Sequence, residues 1–382
     1  MKIPSSILFL FILAASSYAF AEATGNKLTL AAKDDAFLTQ SVSLIDGKSE
    51  ICIVGNYYDV DGPRAIGKIV VVDSSRNKIV WQKKIPAPDD AVNNRFVGCR
   101  MQGDFIYVAA NVDSDSAQST NQSLVYVYKF AKDGKQLAYA RIATPSDDAW
   151  AYDLDVSDGD LKVVGLTKGS DSKSEFYSIF VSKFNADLKF DNPVLYKTGA
   201  YAAYSTLKLS NKNIYIGGNF FPYKVSKEDL VSDYANSKIR IGGGYAWSVR
   251  PQHTKPENIA TAISDSGNIY SIGYKKPSSF FTAVDASGKI LSDLEYKGKF
   301  CETTSMTEDG GNILAVRKSC DSSLKKASLV LLNTKTSKEQ QVNFFPEEPE
   351  FIFAKNSQWY ALSKDLAGNL IFESGSIKGE MQ

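Results

Sequence analysis

Apolar positions along this chain fall in short runs, many of them alternating with polar residues, and Gly, Asp, Asn and Ser gather between the runs. Asp104–Ile142 displays the plan: an apolar run, a long polar connection, an alternating run, the turn Asp133-Gly134, and a third run. Alternation with period two between turn signals is the signature of half-buried strands. The plan recurs at Ile51–Gly55, Ile106–Ala110, Leu161–Gly165, Ile214–Gly218, Ile269–Gly273, Ile313–Arg317 and Trp359–Ser363, whose starts are 55, 55, 53, 55, 44 and 46 residues apart.

Seven copies at that spacing predict an all-β, seven-bladed β-propeller of four-stranded blades, because one small sheet can bury its faces only against its neighbours. With the repeated run as strand B, strand A precedes it across a tight turn, as at Asp46-Gly47, Gly103, Asp158-Gly159, Ser266-Gly267 and Gly310-Gly311. These residue types supply the positive φ of short hairpins. Strand C follows a connection of variable length, and a second short turn leads to strand D. In the fourth repeat Lys238–Gly243 serves as strand C and Gly244–Arg250 as strand D. The last repeat lacks its fourth strand, while Lys27–Ala31 is an unassigned strand-like stretch at the other end of the chain. The N-terminal stretch is therefore expected to complete the last blade, removing an open edge.

Lys68–Pro86 (KIVVVDSSRNKIVWQKKIP) resembles the strand–turn–strand unit of quinoprotein-type propeller repeats. Gly165–Phe184 is similar to bacterial propeller repeats built from a Gly strand, a Ser-rich loop and an F-V-x-K-F strand. The likeness to bacterial exported propeller proteins covers most of the chain as a pattern and identifies no specific family. The quinoprotein resemblance implies a cofactor held between a Trp and a vicinal Cys pair beside Ca²⁺. No two cysteines are adjacent here, so no cofactor is expected.

The first 21 residues read as an export signal: Lys2, the apolar Ile7–Ala15, and Ala19-Phe20-Ala21 before the cleavage point. The domain plan is thus a signal peptide at 1–21 and a single propeller at 22–382, in the periplasm or secreted. Without Lys2, basic and acidic residues balance, which argues against a nucleic-acid partner. One His in 382 residues weighs against a Ser-His-Asp centre and against multi-His metal sites. The four cysteines predict two disulfides. Positions facing one another across Gly310-Gly311 sum to 621, as 301 and 320 do, which pairs Cys301 with Cys320 and leaves Cys52 with Cys99 as a link between adjacent blades.

Candidate chemistry gathers on the connections after strand B. Asp59, Asp61, Asp113 and Asp115 form two alternating acidic loops without the remaining ligands of a Ca²⁺ loop, so no metal is expected. Phe220–Asn236, the longest interruption of the repeat, carries Phe220, Phe221, Tyr223 and Tyr234 beside Lys224 and Lys227. Arg250, His253, Lys255, Lys275 and Lys276 add a basic edge to blades four and five, and Trp150, Tyr152, Tyr201 and Tyr204 begin A strands around the channel. P-loop, nucleophile-elbow and HExxH patterns are absent, as are sialidase-type S-x-D-x-G-x-x-W boxes. The expectation is a monomeric, non-catalytic protein-binding module whose B–C and D–A loops engage a protein partner, either in envelope assembly or as an immunity protein neutralising a toxin. The alternative is a carbohydrate-active or quinoprotein-like propeller enzyme, for which a carboxylate pair would leave no linear signature.

Overall fold

The computed structural model describes residues 26–32, 37–44, 49–58, 64–88, 91–113, 123–157, 160–168, 177–197, 201–210, 213–221, 233–240, 245–249, 257–297, 300–320, 327–333 and 338–377. The predicted signal segment lies outside them.

After β1 (Asn26–Ala31), strands follow in groups of four. The first sheet holds β2 (Phe37–Leu44), β3 (Glu50–Tyr58), β4 (Ala65–Asp73) and β5 (Lys78–Ile85). The second holds β6 (Asn93–Gln102), β7 (Phe105–Asp113), β8 (Ser123–Ala131) and β9 (Gln136–Arg141). The third comprises β10 (Ala149–Ser157), β11 (Asp160–Lys168), β12 (Tyr177–Phe184) and the short β13 (Val194–Lys197). In the fourth are β14 (Tyr201–Ser210), β15 (Asn213–Phe221), β16 (Asp233–Arg240) and β17 (Tyr245–Val249). The fifth has β18 (Glu257–Ile263), β19 (Ile269–Lys275), β20 (Ser278–Val284) and β21 (Ile290–Tyr296), and the sixth β22 (Phe300–Asp309), β23 (Asn312–Ser319), β24 (Ala327–Leu332) and β25 (Glu339–Phe345). Finally β26 (Phe351–Lys355), β27 (Gln358–Lys364) and β28 (Leu370–Ser376) are joined by β1 in the order β1-β28-β27-β26. Among the described residues this makes seven antiparallel sheets of four strands, and β1 pairs with β28 from Asn26↔Ser374 to Ala31↔Leu370.

The second and third strands of the first sheet are apolar on both faces because both faces are covered. Ile51, Ile53 and Val54 of β3, and Val70 and Val72 of β4, have no exposed surface. Side chains of neighbouring sheets share clusters all round the ring. Val54, Ile69 and Phe96 join the first sheet to the second, Ala109, Val127 and Leu154 the second to the third, and Leu28, Leu30, Leu362 and Phe372 meet Ile51 and Val70 between the last sheet and the first. Each buried Val, Leu, Ile or Phe contributes about 1.5–3 kcal/mol, so the interfaces hold the ring together. Outer strands such as β5 and β9 are largely exposed.

Three details of the sequence-based picture are corrected. In the fourth sheet the third strand is Asp233–Arg240 and the fourth Tyr245–Val249, rather than Lys238–Gly243 and Gly244–Arg250. Phe220 pairs with Asp233 and Asn219 with Tyr234, so Phe220, Phe221 and Tyr234 belong to strands. Aromatic residues extend the ladder that a loop assignment would end. The third correction concerns the innermost strands, which are not simple ladders. Register slips between Thr39 and Ser41, Phe96 and Gly98, Ala151 and Asp153, Tyr204 and Thr206, Glu257 and Ala260, and Thr303 and Ser305, in six of the seven sheets. A bulge bends and twists its strand, and the same device recurs in the innermost strand of every sheet but the last, where β26 pairs with β27 without a slip.

Both expected disulfides are present, Cys52–Cys99 between the first two sheets and Cys301–Cys320 within the sixth. The 621 register holds from Asp309↔Asn312 to Ser305↔Val316, but two slips precede it, so Phe300 faces Ser319 and Cys301 occupies a bulge. The bridge forms from a bulged position rather than a directly opposed pair. Two disulfides point to an oxidising, non-cytoplasmic setting.

Candidate functional site

Antiparallel order sends all connections of one kind to one end of the ring. Connections from first to second strand and from third to fourth share a turn face. Those from second to third strand, and from one sheet to the next, share a loop face. Most turn-face connections are tight: β6 joins β7 through Gly103-Asp104, β22 joins β23 through Gly310-Gly311, and β26 joins β27 through Asn356-Ser357. Gly310 and Gly311 have φ of 58° and 88°, the left-handed values a two-residue hairpin demands. The longest turn-face connection, 185–193, is pinned by Asn185, whose Oδ1 accepts from the backbone N–H groups of Asp187 and Lys189. On the loop face, 59–64, 114–122, 169–176, 222–232 and 320–326 join second to third strands, whereas the fifth sheet has only Lys276-Pro277 there. The seventh has 365–369, a turn closed on Asp365 Oδ1 by the N–H groups of Ala367 and Asn369.

Inner-strand charges fasten the turn-face end. Arg100 Nη2 donates to Asp153 Oδ1 at 3.0 Å, and Asp153 Oδ2 accepts the Leu209 N–H at 3.3 Å, tying β6, β10 and β14. Burial pushes the Asp153 carboxyl up, against the pull of Arg100. Lys208 donates to Ile263 O and Asp265 Oδ1, and Lys355 reaches the other Asp265 oxygen at 2.6 Å, across the sheet that lies between them. Burial works against ionisation of Asp265, but Lys355 and Lys208 outweigh it and hold the carboxyl below its ordinary range.

The loop-face end of the second and third sheets carries a different set. Asp113 closes β7, and its Oδ2 accepts from Arg95 Nη1 at 2.7 Å and Asn93 Nδ2 at 2.8 Å. Burial opposes the Arg95 charge, yet the hydrogen bond and charge of Asp113, with help from Tyr58, raise its pKa overall. Both side chains remain about one-third exposed, at 34% and 30%. Next along the rim, Asp148 accepts from Lys168 Nζ at 2.8 Å and from the Tyr177 hydroxyl at 3.1 Å. The Asp148 hydrogen bond raises the Lys168 pKa despite partial desolvation. Trp150 stacks on Tyr177 with centroids 5.8 Å apart, and a Cβ on Gly165 would lie 2.0 Å from Trp150 O, so only glycine lets β10 approach β11 this closely. Tyr152 is the bulged residue of β10 and stays 41% exposed, although its surroundings push the phenol up by burial.

Of the sequence-based candidates, Asp113 is thus paired with Arg95, Phe220 and Phe221 end β15, and Tyr234 is the second residue of β16. Asp59, Asp61, Asp115, Tyr223, Lys224, Lys227, Arg250, His253 and Lys255 lie outside the described residues. Sequence reasoning passed over Arg95, Lys168 and Tyr177. Their one linear sign is a charge or aromatic group at a strand end bordering a long connection. Among the described residues no three His, Cys, Asp or Glu side chains gather as metal ligands. Nor is any helix there long and apolar enough to cross a membrane.

No family model and no curated protein matches the chain. Solved structures do. The polysaccharide lyase Uly1 superposes with TM-score 0.58 at 10% identity, covering 89% of this chain and 90% of the lyase. The β-propeller domain of the Trilobed protease from Pyrococcus furiosus gives 0.56 at 6% identity, over 90% of this chain and 96% of that domain. YCF48 bound to D1 peptide gives 0.55 at 10% identity, over 94% and 96%. The chain folds as a β-propeller. Identities this low carry the fold alone, and the three neighbours differ in what they do: a lyase, a protease domain and a peptide-bound protein. This propeller's blades are its sheets, and its channel is bordered by the bulged inner strands.

Proposed function

We propose that this propeller is a non-catalytic recognition protein of the periplasm, which binds a protein partner through its loop face. The observation that carries the reading is the contrast between the two ends of the ring. Apart from 185–193, which Asn185 pins, the turn-face connections run to six residues at most, while the loop-face connections 114–122, 169–176 and 222–232 span nine, eight and eleven residues in three successive sheets. Long connections on one face of a rigid scaffold are where recognition resides. The rim between them offers Arg95, Asp113, Lys168, Trp150 and the exposed Tyr152, a mixture of aromatic anchors and charges suited to a protein surface. The paired cystines suit an oxidising compartment, and the peptide-bound neighbour shows that the fold serves such a role elsewhere. A partner in envelope assembly, or an exported toxin held inactive, both fit this surface.

The test is capture from a periplasmic extract of the source organism. The native chain is compared with one in which 222–232 is replaced by a short Gly-Ser link and Arg95 and Lys168 by Ala. Capture of one protein by the native chain only is the expected result. Equal capture by the two chains, with both folded by circular dichroism, would remove the loop face from the account.

A further inference from the structure

The two disulfides occupy opposite environments. Cys52 and Cys99 are 1% and 0% exposed, enclosed by Val54, Ile69, Phe96 and Val108. Cys301 is half-buried and Cys320 exposed, and their bridge lies at the loop-face ends of β22 and β23. The ladder beneath that bridge is the most interrupted of the inner hairpins. It slips once between Phe300 and Glu302 and again between Thr303 and Ser305. The buried hydroxyls of Thr303 and Thr304 make no hydrogen bond there. From Ser305 to Asp309 the pairing is continuous, and Arg317 anchors the blade wall through Tyr296, Ser279, Phe300 O and Glu339. The bridge therefore closes the one part of the hairpin where the backbone ladder is weak, above a part that holds by itself.

We infer that Cys301–Cys320 is a redox-sensitive clasp on the loop face, opened by a dithiol reductant while Cys52–Cys99 and the propeller stay intact. The step balances as thiol–disulfide exchange. A reductant thiolate attacks the exposed Cys320 Sγ, the S–S bond breaks, and Cys301 leaves as thiolate and takes a proton. The reductant's second thiol then displaces Cys320 from the mixed disulfide, so the dithiol is oxidised as the protein bridge is reduced. Access decides the order, because a sulfur enclosed in the wall between two blades cannot be approached in line without separating them. The released ends of β22 and β23 then lose the constraint that holds the loop face of blade six. The regulatory half of this inference rests on the loop face being the recognition face; the selective reduction does not.

The experiment titrates the folded, oxidised chain with dithiothreitol, alkylates free thiols and locates them by peptide mass, with circular dichroism and amide exchange read on the same samples. Alkylation of Cys301 and Cys320 at reductant concentrations at least about tenfold below those that open Cys52–Cys99 is expected. Faster exchange should be confined to Phe300–Ser305 and the end of β23, with an unchanged far-ultraviolet spectrum, and C301S/C320S should reproduce that pattern. Joint reduction of both bridges, reduction only on unfolding, or no added exchange at Phe300–Ser305 would each overturn the clasp. With a partner in hand, selective reduction should weaken capture about tenfold. If capture is unmoved by reduction but lost on replacing the rim residues, the regulatory role fails and the recognition face stands. If neither matters, the recognition face itself is wrong.

Discussion

The walls between blades and the loop-face rim are built from the same strands, yet they spend their polar groups differently. In the walls, charges are enclosed and paired. Arg317 is 0% exposed, with Nη1 donating to Tyr296 Oη at 2.7 Å and lying 2.9 Å from Glu339 Oε1, while Nη2 donates to Ser279 Oγ and Phe300 O at 2.9 Å. The Tyr296 phenol is pushed up to about 12, chiefly by burial. On the rim, Arg95–Asp113 and Lys168–Asp148 are held by one or two partners and keep part of their surface toward solvent. The first arrangement fixes a shape and the second leaves groups that another molecule can engage.

Breaking the wall should have the largest effect on stability and little on selectivity. Arg317→Met removes one member of an enclosed ion pair and strands Glu339, a loss of about 3–5 kcal/mol. Urea unfolding monitored by fluorescence should report it, while any residual folded fraction captures the same partner. Replacing Cys52 and Cys99 together by Ala releases a bridge of sequence separation 47, for which the chain-entropy relation gives about 4 kcal/mol. The midpoint of urea unfolding should fall accordingly, again without a change of partner.

Those wall residues show how far sequence alone reaches. Strands such as Ile51–Gly55 and Ile106–Ala110 announce themselves because apolar character on both faces and a fixed spacing follow directly from burial between blades. Cys301–Cys320 was legible because turn residues fix hairpin register well enough to bring two sulfurs near each other, and Cys52–Cys99 followed as the remaining pair. The bulges were not. An extra residue such as Val97 or Tyr152 carries no compositional mark, and one slip moves every later side chain. The rim pairs were equally hidden, since Lys168 and Asp148 meet only after β10 and β11 fold back on each other. Assigning Phe220–Asn236 to a loop failed for a related reason: aromatic residues that look like a binding cluster are also good strand residues.

A smaller effect separates the turn face from the rim by pH. Asp73 accepts from the Ser75 and Ser49 hydroxyls and from the Ser75 and Arg76 N–H groups at the β4–β5 turn, which lowers its pKa from 3.8 to about 2. A lowered folded-state pKa contributes stability that is fully present above the ordinary carboxylate value and is lost as pH falls from 3.8 toward 2. Asp73→Asn should flatten that part of the acid profile, measured as urea midpoints between about pH 2 and 5, and leave partner capture at neutral pH unaltered.

The central claim is that recognition belongs to one end of the ring. Its most direct measurement is the affinity of the captured partner for two folded double variants, one at each end. Arg95→Ala with Tyr152→Ala alters the rim, and Lys208→Ala with Lys355→Ala releases the Asp265 fastening at the turn face. The rim variant should bind about tenfold or more weakly, and the turn-face variant should stay within about twofold of the native chain. Equal losses at the two ends, or a loss confined to the turn-face variant, would contradict the account.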